Sequence, residues 1–419
     1  MEDESGFPHV REVIMNLPTW ARRLKTERLE RCWSQKDVAR RLTEAAYEHA
    51  GMSLPSRESL TRMLRDWEAG RARPRPPYPR LLALVFGLDE SELFESLITP
   101  DSPVPVDVSV HDPFALNGRP ADTDYVTMLR QTIQALVALD GAHGGNEVFP
   151  LSLRVFRIAS AKLAAGNFTA GIERDLEAAA GEAGEVAAWM AYDADRHDAS
   201  RQIIQEALML SRLAGDRGME LFELAHLSML SLYRHRPREA LRIADDVLND
   251  GGLPPRVAAI FDVRRGRALA TMGDRPRGFD ALRRARSALA ESINTRDPYW
   301  TWWMDEAELA WHEGMAHAEL GEWRQAVAPI AEAFVRRSIR GRSRYQYAAQ
   351  LLNALVHAQA WREAEPIIVD VMEQAGEVGS ARTANLLLRV ADRIEHAGTS
   401  TTSTLADSAQ DLRRMLACS

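Results

Sequence analysis

The sequence predicts an all-α protein: a small N-terminal helical bundle, a proline-rich linker and a long C-terminal array of helical hairpins. Three observations predict it. From about residue 124 to 397, Ala, Leu, Arg and Glu dominate, and apolar residues recur at three- and four-residue spacing, the period of a helix with one buried face. No stretch alternates apolar and polar residues as a half-buried strand would. Small residues also return about every forty positions in the second half, each just after a short turn.

The first 98 residues read as a compact bundle. An amphipathic helix spans about Thr19 to Arg31, with Trp20, Leu24 and Leu29 on its apolar side. Ser34 is a good N-cap, and Asp37 three positions on is a capping-box-like partner. A second helix follows from Gln35, with Val38, Ala39 and Leu42 facing inward. A third fits Arg57 to Glu68, capped by Ser56 and stopped at Gly70, with Leu60, Met63, Leu64 and Trp67 as its stripe. A basic coil carries Arg71, Arg73 and Arg75, and helices around 80–86 and from Ser91 close the bundle. Residues 99–123 hold Pro100, Pro103, Pro105, Pro113 and Pro120 and read as a linker, since proline cannot sustain a helix interior.

The region 124–397 carries the repeat. Matched small residues fall at Ala199, Ala240, Gly278, Ala326 and Ala364, spaced 41, 38, 48 and 38, with Gly171 as a shortened earlier member. Gly266 with Gly273, and Gly314 with Gly321, share a Gly-x6-Gly spacing. Antiparallel helices cross closely only where one side chain is small. The pattern resembles the tetratricopeptide repeat, a helix–turn–helix unit of ~34 residues, which implies a helical-hairpin solenoid with a concave binding face. Residues 398–419 read as a loose polar tail ending in a short helical turn.

Composition narrows the function. The chain has 419 residues, 46% hydrophobic and 27% charged, and no run of ~18 apolar residues of the kind that spans a membrane. Two cysteines, Cys32 and Cys418, make neither a disulfide framework nor a zinc site and fit a reducing cytoplasm. The net charge is −8, but residues 18–80 hold 15 Lys and Arg against 8 Asp and Glu, while the remainder holds 37 against 52. A basic module on an acidic body is the asymmetry expected when one part meets phosphates.

The segments WSQKDVARRL and SLTRMLRDWEAGR resemble the phage-repressor-like (XRE) helix-turn-helix family, whose pattern is Ser-Gln-x-x-[Leu/Val]-Ala followed by a helix ending in [Trp/Leu]-Glu-x-Gly-[Arg/Lys]. The resemblance implies that Gln35 opens helix two against a DNA phosphate. It also implies that Arg28 and Glu68 form a largely buried ion pair. The turn between helices two and three departs from the family: TEAAYEHAGMSLPS adds on the order of fifteen residues, which either extend helix two or bulge out. The whole chain resembles actinomycete regulators that join such a domain to helical repeats, and in fold the peptide-pheromone-responsive regulators of Gram-positive bacteria.

A recognition helix needs long donors on one face, and Arg57, Thr61, Arg62 and Arg65 supply them. Arg71, Arg73 and Arg75 fit phosphates, which position without specifying. The expectation is a cytoplasmic transcriptional regulator that binds double-stranded DNA as a homodimer, with repeats that dimerise it, sense a peptide or small-molecule effector, or both. The alternative is an interaction scaffold whose first domain does not read DNA. Trp303 with Arg337, Arg340 and Arg344 is a candidate effector site. No phosphate loop or nucleophile in a telling context is present, so no enzyme activity and no cofactor are expected. His312 and His317, five positions apart, lie about 140° apart round a helix and cannot share a metal.

Overall fold

The computed structural model describes residues 19–31, 33–50, 54–75, 77–94, 119–291, 297–336 and 341–418. They form two compact units, the first comprising Met1–Ser102, Pro254–Arg256 and Ser287–Asp305, the second Pro103–Leu253, Val257–Arg286 and Glu306–Ser419. Every regular element among the described residues is helical, apart from a lone parallel bridge between Ala121 and Phe168. The all-α expectation holds. None of the described helices is long and apolar enough to cross a membrane.

Among the described residues of the first unit, five α-helices follow the sequence: α1 (Thr19–Glu30), α2 (Gln35–Ala50), α3 (Arg57–Glu68), α4 (Tyr78–Phe86) and α5 (Glu90–Phe94). The inserted segment extends α2 to Ala50, and residues 51–53 lie outside the described residues. The start of α2 is fixed locally. The Ser34 hydroxyl and backbone N–H both donate to Asp37 Oδ2, at 2.6 and 2.8 Å, and the Asp37 N–H returns a bond to Ser34 Oγ at 3.2 Å. Ser56 caps α3 by accepting from the Ser59 N–H at 3.3 Å. Trp20, Leu24, Val38, Leu42, Leu60, Leu64, Trp67, Leu81 and Phe86 fill the core between them. The Leu29 side chain lies outside the described residues.

The second unit is an array of antiparallel pairs. Its helices are α6 (Thr123–His143), α7 (Gly145–Ala164), α8 (Glu173–Asp193), α9 (His197–Ala214), α10 (Arg217–Tyr233), α11 (Pro237–Asp250), α12 (Pro255–Thr271), α13 (Arg275–Ala290), α14 (Glu306–Glu319), α15 (Trp323–Arg336), α16 (Arg342–His357), α17 (Trp361–Ala375), α18 (Ala381–Ala397) and α19 (Ser403–Cys418). The first residues of α12 and the last of α13 belong to the first unit.

The hairpins share one register. Position 0 is a crossing residue on the first helix: Ala188, Ser228, Gly266, Gly314 or Leu352. Seven residues later a left-handed residue turns the chain: Asp195, His235, Gly273, Gly321 or Gln359, with φ of 59°, 57°, 82°, 75° and 59°. Twelve residues after position 0 comes the partner on the second helix: Ser200, Ala240, Gly278, Ala326 or Ala364, each buried. A Cβ on Gly314 would lie 2.4 Å from Ile330 Cγ1, and one on Gly266 2.9 Å from the Gly278 carbonyl oxygen. Where the position holds serine, the hydroxyl bonds across: Ser200 Oγ donates to the Ala188 carbonyl at 2.8 Å and Ser228 Oγ to that of Ala240 at 2.9 Å. The first matched residue is therefore Ser200 and not Ala199, because serine can cross closely by donating to the facing backbone. Gly171 keeps the register after the left-handed Gly166, but it sits in a turn and α8 starts only at Glu173.

This register separates two kinds of glycine. Gly314→Val should lower stability by ~1–3 kcal/mol through overpacking at the crossing. Gly273→Ala meets no atom within 4 Å and should cost only the left-handed backbone, ~1–2 kcal/mol. Thermal denaturation of the full chain checks both, and an unchanged midpoint for Gly314→Val would contradict the crossing.

The ends of the array meet within the second unit. Asp193 at the end of α8 accepts from the Gly145 N–H at 3.0 Å, from Ser380 Oγ at 2.9 Å and from Arg382 Nη2 at 2.9 Å. The Gly379 N–H donates to the His143 carbonyl at 2.7 Å, and Asn146 N–H donates back to the Gly379 carbonyl at 2.9 Å. A Cβ on Gly144 would stand 2.6 Å from the Gly379 oxygen, so this clasp is built on bare backbone. Burial pushes the Asp193 carboxyl up, but the Arg382 and Arg342 guanidiniums and the two hydrogen bonds outweigh it and hold it below the usual carboxylate range.

The C-terminal segment differs from the loose polar tail that its composition suggests. α19 buries Leu405, Ala409 and Leu412 against the core beneath α17 and α18. Those residues sit at i, i+4 and i+7, one helix face, and Ser and Thr around them mask the stripe.

Candidate nucleic-acid interface

The face that could meet DNA is set by what holds α3. Leu60, Leu64 and Trp67 lock one side of the helix into the core. The solvent-facing side carries Arg57, Arg62 and Arg65, all exposed, whose side chains make no ion pair or hydrogen bond with the described residues. With Thr61 they span about 140° of the helix surface, a width that one groove can accept. The Thr61 hydroxyl donates to the Arg57 carbonyl at 2.7 Å, so only its oxygen lone pairs are spare.

Behind α3, Arg28 grips Glu68 through two bonds, Nε to Oε1 at 2.5 Å and Nη2 to Oε2 at 2.8 Å, and both residues are buried. The bond to Glu68 holds the Arg28 guanidinium above its ordinary range. Arg28 Nη1 also donates to the Trp33 carbonyl at 2.9 Å, tying the α1–α2 turn to the same knot. Gln35 joins it: its Nε2 donates to Glu68 Oε2 at 2.8 Å. The side chain that the family resemblance aims at a phosphate thus has its amide donor on a carboxylate here.

The basic coil divides as well. Arg71 pairs with Asp66 at 2.7 Å, an exposed contact of the kind worth ~0–1 kcal/mol and readily exchanged. Arg73 Nη2 donates to the Phe94 carbonyl at 3.3 Å. Arg75 is exposed, with no side-chain partner among the described residues. Arg75 is therefore the coil arginine best free to take a phosphate.

Sequence reasoning passed over two features of this unit. Trp33 stacks on Phe86 with ring centroids 5.8 Å apart, and the Arg41 guanidinium lies 4.0 Å over the Trp33 ring, so a cation–π contact fixes one side of α2. Glu90 at the head of α5 is fully buried in a two-bond pair with Arg256, Nη1 to Oε1 at 3.2 Å and Nη2 to Oε2 at 3.0 Å. The Arg256 N–H also donates to Asp297 Oδ1 at 3.2 Å. Nothing local in the sequence signals a pairing across 166 residues. It alters the domain boundaries, because a fragment ending at residue 98 would strand a buried carboxylate.

Of the effector residues that the sequence suggests, Trp303 and Arg344 fall within the described residues. Trp303 is half-buried on the 3₁₀ turn Tyr299–Trp303 of the first unit. Arg337 and Arg340 lie outside the described residues. Arg344, of the second unit, is engaged within its own hairpins: Nη1 donates to the Phe334 carbonyl at 3.2 Å, Nη2 donates to Asp370 Oδ1 at 3.1 Å, and its guanidinium lies 3.6 Å over the Phe334 ring. A half-buried guanidinium with a carboxylate and a ring in reach satisfies itself intramolecularly. Trp311 is buried beside Tyr347 and His312 and belongs to the packing. Burial pushes the His312 imidazole down to about 3, and His317 bonds Glu322 at 2.7 Å. Among the described residues no group of three or more His, Cys, Asp or Glu is arranged to hold a metal.

No protein-family model matches this chain, and no curated protein matches it.

Proposed function

We propose that the protein is a cytoplasmic DNA-binding transcriptional regulator, with α3 as the recognition helix and the hairpin array as the effector-sensing and dimerising part. The observation that carries the reading is the α3 face. Three exposed arginines whose side chains have no partners among the described residues line the solvent side of a helix whose apolar stripe is locked, in a segment with seven more basic than acidic residues. A helix that served only packing would have no use for such a face. The XRE-type and tetratricopeptide-type resemblances agree with this reading and remain resemblances.

The test uses the full chain, because the first unit draws on residues 254–256 and 287–305. Each phosphate contact should contribute ~0.9 to the slope of log K against log salt. Arg75→Ala should weaken all DNA sequences alike and flatten that slope. Arg62→Ala or Arg65→Ala should reduce discrimination between sequences by ~1–3 kcal/mol if the side chain reads a base bidentately. A flat salt dependence with an intact fold would remove the DNA reading in favour of an interaction scaffold.

One recognition helix reads only a few base pairs, and a two-fold pair doubles this and sets half-sites near a multiple of ~34–36 Å. The full chain should therefore run at twice its 46.9 kDa mass in light scattering at micromolar concentration. A monomer that protects a single half-site in footprinting would contradict the dimer.

A further inference from the structure

We propose that the second unit carries a binding site for a small organic anion, a carboxylate or phosphomonoester, in the pocket formed by α10, α16 and α18. This deepens the sensing half of the function proposed above and depends on it only for its biological consequence. The pocket encloses about 290 Å³ including its open mouth and is lined by Tyr233, Gln346, Gln350, Arg382, Leu386 and Arg389. No carboxylate lines it, while two guanidiniums, two primary amides and a phenol do. The donor-rich wall, with Leu386 as its apolar patch, matches an oxyanion on a short carbon body.

Arg382 is the second, independent indication. The residue is only 5% exposed, and its Nε is buried without a partner among the described residues. Its Nη2 is already used, donating to Asp193 Oδ1 and to Gln346 Oε1, both at 2.9 Å, and its plane lies 4.7 Å over the Tyr192 ring. Buried donors are ordinarily satisfied, so the protein leaves part of the donor capacity of this lining guanidinium unused. Arg389 is exposed and has no ion pair among the described residues, which leaves a positive charge at the mouth. Burial pushes the Tyr233 phenol up to about 12, so it stays protonated and can donate.

The walls come from helices over a hundred residues apart in sequence. The Arg382 that lines the pocket also bonds Asp193 in the clasp between the ends of the array. An occupant would therefore stiffen the closed arrangement, and ligand that binds only the folded form raises the midpoint by mass action.

The experiment titrates the full-length protein, without DNA, with inorganic phosphate, glycerol 3-phosphate and hexanoate at constant ionic strength, with hexanol as the uncharged control. Calorimetry and thermal shift are the readouts. The expected result is saturable binding of at least one anion, a midpoint that rises with the logarithm of its concentration, and no response to hexanol. Which anion binds more tightly distinguishes a phosphate from a carboxylate ligand. Arg389→Gln should weaken binding at least tenfold and Tyr233→Phe several-fold, with the unliganded midpoint unchanged, because Arg389 is exposed and the phenylalanine keeps the ring. Failure of all three anions to saturate, or equal affinity in both variants, overturns the proposal. Either result leaves the DNA reading as it stands, since no nucleic acid enters the assay.

Discussion

Glu68→Ala should destabilise the first unit by ~3–5 kcal/mol and abolish DNA binding at physiological temperature. Removing one partner of a buried ion pair costs far more than the pair contributes, because the other charge is left without compensation. Here Arg28 would keep only its bond to the Trp33 carbonyl, and the Gln35 amide would lose its acceptor as well. Three connections converge on Glu68: α1 through Arg28, the α1–α2 turn through Trp33, and the head of α2 through Gln35. The recognition face therefore depends on a residue that does not belong to it. Chemical denaturation of the full chain, followed by fluorescence of Trp20, Trp33 and Trp67, should show an early transition that the unaltered protein lacks. The Arg28→Ala, Glu68→Ala double variant should be less damaged than the sum of the single ones. An unchanged early signal for Glu68→Ala would show that the pair does not hold the unit.

Asp193→Ala should have an effect of the same size in the second unit. Asp193 is fully buried and satisfies a backbone N–H at the start of α7 and a hydroxyl and a guanidinium at the start of α18. Its loss leaves the buried Arg382 with only the Gln346 oxygen and opens the junction between the ends of the array. A drop of ~3–5 kcal/mol is expected. Hydrogen exchange should rise first at the amides of Gly145, Asn146 and Gly379, which bond in or beside this clasp. Unchanged exchange there would show that the hairpins hold their ends together without it.

What was legible in the sequence follows the range of the interactions. The bounds of α2 and α3 could be read because Ser34, Asp37 and Ser56 act on groups three residues away. The hairpin register could be read because close crossing demands a small residue, and it slipped by one at Ala199 only where serine fills the role by donating to the Ala188 carbonyl. The left-handed turn seven residues after each crossing was visible where it is Gly273 or Gly321, and hidden where Asp195, His235 or Gln359 takes that conformation. The stripe of Leu405, Ala409 and Leu412 was present in the sequence, yet only a docking surface on α17 and α18 turns it into an ordered helix.

Interactions across the chain left no such trace. The clasp on Asp193 joins residues 187 and 189 positions apart, and Glu90 meets Arg256 across 166. A lone buried Asp or Glu looks in sequence like any surface carboxylate. The same reason hid the engagement of Arg344, whose carboxylate and aromatic partners arrive from neighbouring hairpins. The pocket beside Arg382 is assembled from α10, α16 and α18, and none of these carries a recognisable ligand motif alone. The arginines of α3 were legible as donors because an exposed, unpaired side chain depends least on distant partners.

The most direct test of the central claim is a mobility-shift selection with the full-length protein on random genomic fragments, followed by sequencing of what is retained. The account predicts enrichment of an inverted repeat with half-sites one helical turn or a multiple of it apart, lost when Arg62 and Arg65 are both changed to Ala in a protein that still folds. Retention of no fragment above background, or an enrichment indifferent to those two arginines, would contradict it.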